Sequence, residues 1–461
     1  MRFLFSKLYL IATSSILISG CALHTTNFSP NPNIEAYQSF SIEVVDQSNF
    51  SSPWWSAFDR PVLDDLIDNA LSNNYDIAQS VAVLNQSRAL ARQTSADRFP
   101  QIDISGDADK NWRGSDGQRG TSEIGADLSW ELDIWQRISS ATQADKYDAV
   151  ARFEDVEILK LLISTEMANA YFGAVASNQT IRLLKQQLKL DRELQNLLSL
   201  RLKEGLGTNV EVLQQRARVA DAQKRIPLAE SDLTIFENRL DVLIGKMPDG
   251  KANIPTSDNL KFIDKMPALN IPAALLLNRP DLRSARAELI AADADIASAI
   301  ADRLPRVTLD GSYAFSDAAS FTGPVSMVMG TFVQPLLDWG KRKAEVARNK
   351  ALYEEKLAAY TGLYLEAVEQ VENALTREMK QREFLKQLNR QRQILQQTVN
   401  AAKDRYTSGV DDYLPVIDAL KELRNVQRDL VTENLNLINI RIDLYRAIGA
   451  PTTKDIPDEA V

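Results

Sequence analysis

The stretch Arg405–Ala419 reads RYTSGVDDYLPVIDA. A long, charged, Leu-rich and proline-free segment runs into it, and a second amphipathic segment runs out. At its centre Gly409 can take the positive φ that lets a helix stop and the backbone reverse. Asp411 or Asp412 can cap the next helix, with Pro415 tolerated in its first turn. The spacing predicts the tip of a helical hairpin. A second tip, RLKEGLGTNVEVL, occupies Arg201–Leu213. Gly205 and Gly409 are 204 positions apart, and so are Gly245 and Gly449. Turn glycines at one fixed offset mark an internal repeat.

The repeat extends outward from the tips. RPDL, the last four residues of NRPDL (278–282), matches NYDI (74–77) at an offset of 205, and Pro305 and Gly311 match Pro100 and Gly106 at the same offset. LLDWGKR (336–342) echoes LDIWQR (132–137). Each half reads as helix, hairpin, long helix, tip, shorter helix. Helices are predicted over about 75–97, 137–203, 210–244, 342–407 and 412–448, with Pro227 expected to kink or break the third. A helix of about 66 residues is on the order of 100 Å long, and it matches the shorter return helix plus the pre-strand helix laid end to end.

Between helices the periodicity switches to two. Ile102, Ile104 and Ala108 alternate with Asp103, Ser105, Asp107 and Asp109, and Ile124, Ala126, Leu128, Trp130 and Leu132 alternate with Glu123, Asp127, Ser129 and Glu131. A polar Gly-rich loop, NWRGSDGQRGT, lies between them. In the second half Val307, Leu309, Tyr313 and Phe315 alternate with Thr308, Asp310 and Ser312, and 325–334 form a fourth, less regular strand. Strands of about ten residues with one apolar and one acidic face suit a transmembrane barrel. A hairpin lying on a soluble core shows the same period. Four strands cannot close a barrel alone, and open strand edges are not viable in lipid. If the strands are in the membrane the chain is an obligate oligomer, and three chains give twelve strands.

Composition narrows the chemistry. The chain has 461 residues, a net charge of −9, one histidine (His24) and one cysteine (Cys21). No basic stripe points to nucleic acid. A Cys/His zinc site and an intrachain disulfide are excluded, and a histidine-dependent triad would have to use His24. No cofactor is expected. The N-terminus carries Arg2 and Lys7 ahead of an apolar run over 8–18, too short for a stable membrane anchor. It ends in Ile18-Ser19-Gly20-Cys21, similar to a bacterial lipobox, in which cleavage leaves Cys21 as the lipidated N-terminus. The expected organisation is a signal peptide (1–20), an extended lipidated tether (21–53), a first repeat (54–245), an equatorial segment (246–272), a second repeat (273–450) and a tail (451–461).

Lipobox, duplicated plan and Gly-bearing tips together resemble the TolC/OprM outer-membrane factor family, including its NodT-like lipoproteins. The resemblance covers about 54–450, and Tyr406–Ala419 is its most specific part. It implies an α+β membrane protein, a trimer with a twelve-stranded β-barrel and a long α-helical periplasmic tunnel. It also implies an exit duct for drugs or other small compounds in the outer membrane of a Gram-negative bacterium. The implied partners are a periplasmic adaptor (membrane fusion) protein and an inner-membrane transporter of the RND type. Ala22 after the cysteine favours outer-membrane sorting by the family's rule.

Matched residue by residue, the family motif places Leu414 and Asp418 in constriction rings facing the pore. Three leucines would make a hydrophobic narrowing and three carboxylates a cation-favouring ring. Tyr406 falls on a position whose hydroxyl locks this coil to its neighbour, and the partner position is Glu211. Pro415 stands where TolC has a second gate aspartate, so one carboxylate ring is expected rather than two. Gly205, Gly409, Asp411 and Asp412 would meet the adaptor, while Asp103, Asp107, Asp127, Glu131 and Asp310 would face the barrel lumen or bulk water. An exported-protein channel of the type I kind is a variant of the duct. A structural coiled-coil envelope lipoprotein is an alternative of another class, needing no strands in lipid and no acidic rings.

Overall fold

The structure is a computed structural model that describes residues 53–112, 118–251, 258–262, 279–316 and 323–452. Cys21, the expected signal peptide, most of the expected tether and most of the tail lie outside the described residues, as do parts of the equatorial segment and the two strand-connecting loops. A 3-10 turn (Trp54–Phe58) precedes α1 (Pro61–Asn73) and α2 (Tyr75–Ala96). Next come β1 (Gln101–Trp112), β2 (Gln118–Glu131), α3 (Arg137–Lys203) and α4 (Asn209–Leu243). The second half repeats the order with α5 (Pro280–Ala301), β3 (Arg306–Ser316), β4 (Gly323–Val333), α6 (Lys341–Thr407) and α7 (Leu414–Ala447).

The two long helices have 67 residues each. At 1.5 Å per residue each runs on the order of 100 Å. α4 packs along α3 from the tip end and α2 along it from the strand end, while α7 and α5 flank α6 in the same way. The shorter helices meet head to tail. Asn74 caps α2 and also donates its side-chain amide to Leu243 O at the end of α4 (3.0 Å). Arg279, before α5, donates to Ala447 O at the end of α7 (2.7 Å). These joints occupy corresponding places in the repeat. α5 also packs on α3, and α3 on α7, which ties the two halves into one layer.

Where these helices pass each other, an aromatic and aliphatic core forms. Trp54 stacks near Tyr445, and Phe58 near Phe172, with ring centroids 5.4 and 5.1 Å apart. Trp54 donates Nε1–H to Ser164 Oγ (3.1 Å), so its polar edge is satisfied inside the core. Burying side chains of this size contributes about 1.5–3 kcal/mol each before entropy is counted. α4 runs unbroken through Pro227, so of the kink or break expected there the break does not occur. A proline costs one backbone bond and a local clash, which the packing of Ile226, Ala229 and Leu233 against Ile181 and Leu184 of α3 offsets.

The four strands form one antiparallel sheet in the order β1-β2-β3-β4. β1 and β4 are its open edges. The register puts Asp103 opposite Asp127 and Ser129 opposite Asp310, so the acidic residues share one face. The other face presents Ile102, Ile104, Ile124, Tyr313 and Phe315, all exposed. β4 departs from alternation. Met327 and Met329 lie opposite Ser312 and Asp310 on the acidic face, while Val328 and Phe332 lie on the other. This edge strand is apolar on both sides, which explains its weak period in the sequence.

Candidate functional site

The site lies at the far end of the helices from the sheet, where the two tips meet. Both tips stop their long helices in the same way. Gly205 and Gly409 each sit at φ +70°. Leu206 N–H returns to Arg201 O (2.8 Å) and Val410 N–H to Arg405 O (2.9 Å), the backbone closure that a glycine in the left-handed region permits. Both glycines are exposed at the apex, as are Asp412 and the side chain of Val410.

The way out of each tip differs. Thr208 caps α4 with its hydroxyl, and Glu211 returns a carboxylate oxygen to Thr208 N–H (2.8 Å), a complete capping box. α7 begins at Leu414 behind Tyr413 with no side-chain cap, contrary to the role expected of Asp411 or Asp412. Pro415 removes one of the N–H groups a cap would serve, and Asp411 is taken by Arg405 through two charge-assisted bonds (2.5 and 2.9 Å). That pair holds the Asp411 carboxyl below its usual range.

Leu414 and Asp418 are both exposed and, four residues apart, lie on one face of α7. The opposite face buries Val416, Ile417 and Leu420 with Leu198 of α3 and Val212 of α4. Tyr406 is buried between the tips, its ring 5.2 Å from that of Tyr413 and under the Arg201 guanidinium (4.8 Å). Its hydroxyl lies beside Glu211 without a well-formed hydrogen bond, and one Glu211 oxygen serves the capping box of α4. Burial, with the Glu211 charge next, pushes the Tyr406 pKa up.

A buried hydrogen bond between the coils is made beside this pair. Tyr413 donates its hydroxyl to Gln215 Oε1 of α4 (2.9 Å). Gln215 in turn donates to Asp191 O and Oδ1 of α3 (both 2.9 Å). Arg424 of α7 closes the circuit on both Asp191 oxygens (2.8 and 2.6 Å). Asp191 and Gln215 are fully buried, so the circuit carries a paired charge through the centre of the four-helix end. Nothing in the sequence marks them, since Asp191 sits in a charged run, KLDRE, that reads as solvated helix.

At the sheet, Asp127 accepts from Ser105 Oγ (2.7 Å) and Asp310 from Ser129 Oγ (2.9 Å). Asp103 and Asp107 share this face, Asp107 opposite Glu123. Glu131 lies on it as well, but at the junction with α3 it forms a two-pronged ion pair with Arg137 (3.0 and 2.9 Å).

This duplicated architecture of long helical hairpins below an open-edged sheet is that of an outer-membrane efflux channel. The outer membrane efflux protein family matches residues 66–246 and 271–450, and the chain belongs to that family. It is 30% identical over 425 residues to the pyoverdine export outer membrane protein OpmQ of Pseudomonas putida, covering 88% of this chain and 89% of that one. It is 26% identical over 454 residues to the cation efflux system protein CusC of Escherichia coli, covering 94% and 96%. The fold matches the open state of the Neisseria gonorrhoeae MtrE outer membrane channel with a TM-score of 0.86 at 22% identity, over 94% of this chain and 99% of that one. It matches the outer-membrane channel OprN with a TM-score of 0.81 at 27% identity, over 91% and 98%. Membership in a family of efflux proteins makes the chain a channel component of the outer membrane and not an enzyme.

Proposed function

We propose that three copies of the chain form the exit duct of a tripartite efflux pump, with a twelve-stranded barrel in the outer membrane and a helical tunnel below it. The sheet supports the oligomer. Its edges β1 and β4 are unpaired and one face is a band of exposed isoleucine and aromatic side chains, a combination that lipid tolerates only if neighbouring copies close the ring. Cys21 would carry the lipid anchor. The tips form the periplasmic gate, opened by an adaptor packing at Gly205, Gly409, Asp411 and Asp412, with the transporter beneath it. Small compounds, drugs among them, would pass without an energy source in the duct itself.

The observation that carries this reading is the shared exposure of Leu414 and Asp418 on one face of α7, while every apolar neighbour on the opposite face is buried. Three such faces around an axis narrow a pore with leucine and line it with carboxylate. The test is single-channel recording of the purified protein in planar bilayers, comparing wild type with Asp418→Ala. Small cation-selective currents that lose selectivity in the variant support the duct. A folded trimer that never conducts sinks it.

A further inference from the structure

One cationic feature stands apart from the gate. Between α4 and α7, over α3, lies a groove of about 470 Å³ lined by five cationic side chains, Arg218, Arg225, Lys421, Arg424 and Arg428, against two carboxylates. Both carboxylates are already committed. Asp191 is held by Arg424 and Gln215. Asp221 is shared between Arg225 (3.0 Å) and Lys224 (2.8 Å). Arg218 and Lys421 have no carboxylate within ion-pair distance among the described residues, and Arg428 donates only to the neutral Asn425 (2.6 Å). Arg218 and Arg428 are also crowded by the paired cations beside them. Burial, and then Arg424, push the Arg218 pKa down, and burial, then Arg225, do the same to Arg428. Such a cluster is stabilised by whatever brings negative charge into it.

The groove also has an address. Lys421, Asn425 and Arg428 continue at helical spacing the stripe that begins with Leu414 and Asp418, so on the pore-facing assignment of that stripe the groove opens into the tunnel. Asp418 lies close enough for its charge to act on Arg218. Ten residues of helix separate Asp418 from Arg428, about 15 Å of path.

We propose that this groove is an anion-binding station on the tunnel wall, just inside the gate, for a small solute with two or more carboxylate or phosphate groups. The lumen placement rests on the duct reading above; the anion site itself rests on the groove. Two negative groups suit it because Arg218 and Lys421 approach from different helices and a single carboxylate cannot answer both together with Arg428. The groove would then hold anionic cargo that has already passed the carboxylate ring, while the ring itself still sets the selectivity for small ions.

Citrate is a suitable probe. Its binding to the detergent-solubilised trimer is measured by equilibrium dialysis at low salt for wild type, the double variant Arg218→Gln/Lys421→Gln, Arg428→Gln alone, and Lys350→Gln as a control outside the groove. Saturable binding at one site per chain, weakened at least tenfold in the double variant and several-fold in Arg428→Gln but unchanged in Lys350→Gln, supports the site. Absence of saturable wild-type binding, or equal binding by all four proteins in heat-resistant trimers, overturns it. Bilayer recording with citrate on the tip side separates the two claims. Block of the current that the double variant lacks places the site in the pore. Groove-dependent binding without block, in a protein that conducts, overturns the lumen placement and leaves the anion site standing. Conduction with no citrate binding leaves the duct and removes the site.

Discussion

The Tyr413 hydroxyl, on the second tip, donates a buried 2.9 Å hydrogen bond to Gln215 on the first hairpin. It is the end of a chain that runs through Asp191 to Arg424, so the segment carrying Leu414 and Asp418 is fastened to the opposite hairpin within one protomer. Removing a hydroxyl from such a bond costs about 1 kcal/mol, while truncating a buried ionic partner costs about 3–5 kcal/mol because the other charge is stranded. Asp191→Ala is therefore expected to lower the thermal midpoint of the trimer much further than Tyr413→Phe. Tyr413→Phe and Gln215→Leu should couple in a double-mutant cycle by about 1 kcal/mol. Additive effects in that cycle would mean that the bond does no holding.

Two glycines with nearly the same φ should respond differently to substitution. Gly409 (φ +70°) has open space where a Cβ would stand, so Gly409→Ala pays only backbone strain, about 1–2 kcal/mol. Gly449 (φ +65°) has the Arg279 Cα 2.8 Å from that position, at the joint where Arg279 holds Ala447 O. Gly449→Ala should be the more destabilising in thermal melts. Equal losses would show that the joint between α7 and α5 yields freely.

A pH effect is expected from the strand end of the helices. Asp295 on α5 is pushed up to about 6 by burial, with Asp148 and Asp145 of α3 adding to it against Arg348 and Lys356. Its folded pKa lies above the unfolded value of 3.8, so the fold holds a proton that the unfolded chain releases. Stability from this group is full below about pH 4 and is lost as pH rises through about 6. Asp295→Asn should raise the thermal midpoint at pH 8 and leave it unchanged at pH 4. A variant that destabilises equally at both would place the carboxylate in a structural bond instead.

Much of this was readable from residues alone because it rests on local rules. Gly205 and Gly409 announce the tips through the φ a reversal requires, the offset of 204 announces the repeat, and the Asp103–Asp109 alternation announces strands. The caps were less legible. Asp411 and Asp412 have the right chemistry for an N-cap, but Arg405, six residues back across the reversal, competes for Asp411, and such competition depends on how the turn closes. Whether Pro227 would break its helix was hidden for a related reason, since its cost is local and the packing that offsets it comes from α3. The Tyr413–Gln215–Asp191–Arg424 circuit left no trace, because its members come from three helices and each looks like an ordinary polar position. Sequence distance hides such networks, and only packing assembles them.

The central claim is that the exposed face of α7 beginning at Leu414 lines a pore. Leu414→Cys, recorded in planar bilayers while a charged thiol reagent is added from the tip side, tests it most directly. The account predicts that the current falls irreversibly in Leu414→Cys and is unaffected in wild type. Complete labelling of Leu414→Cys with no change in current would contradict it.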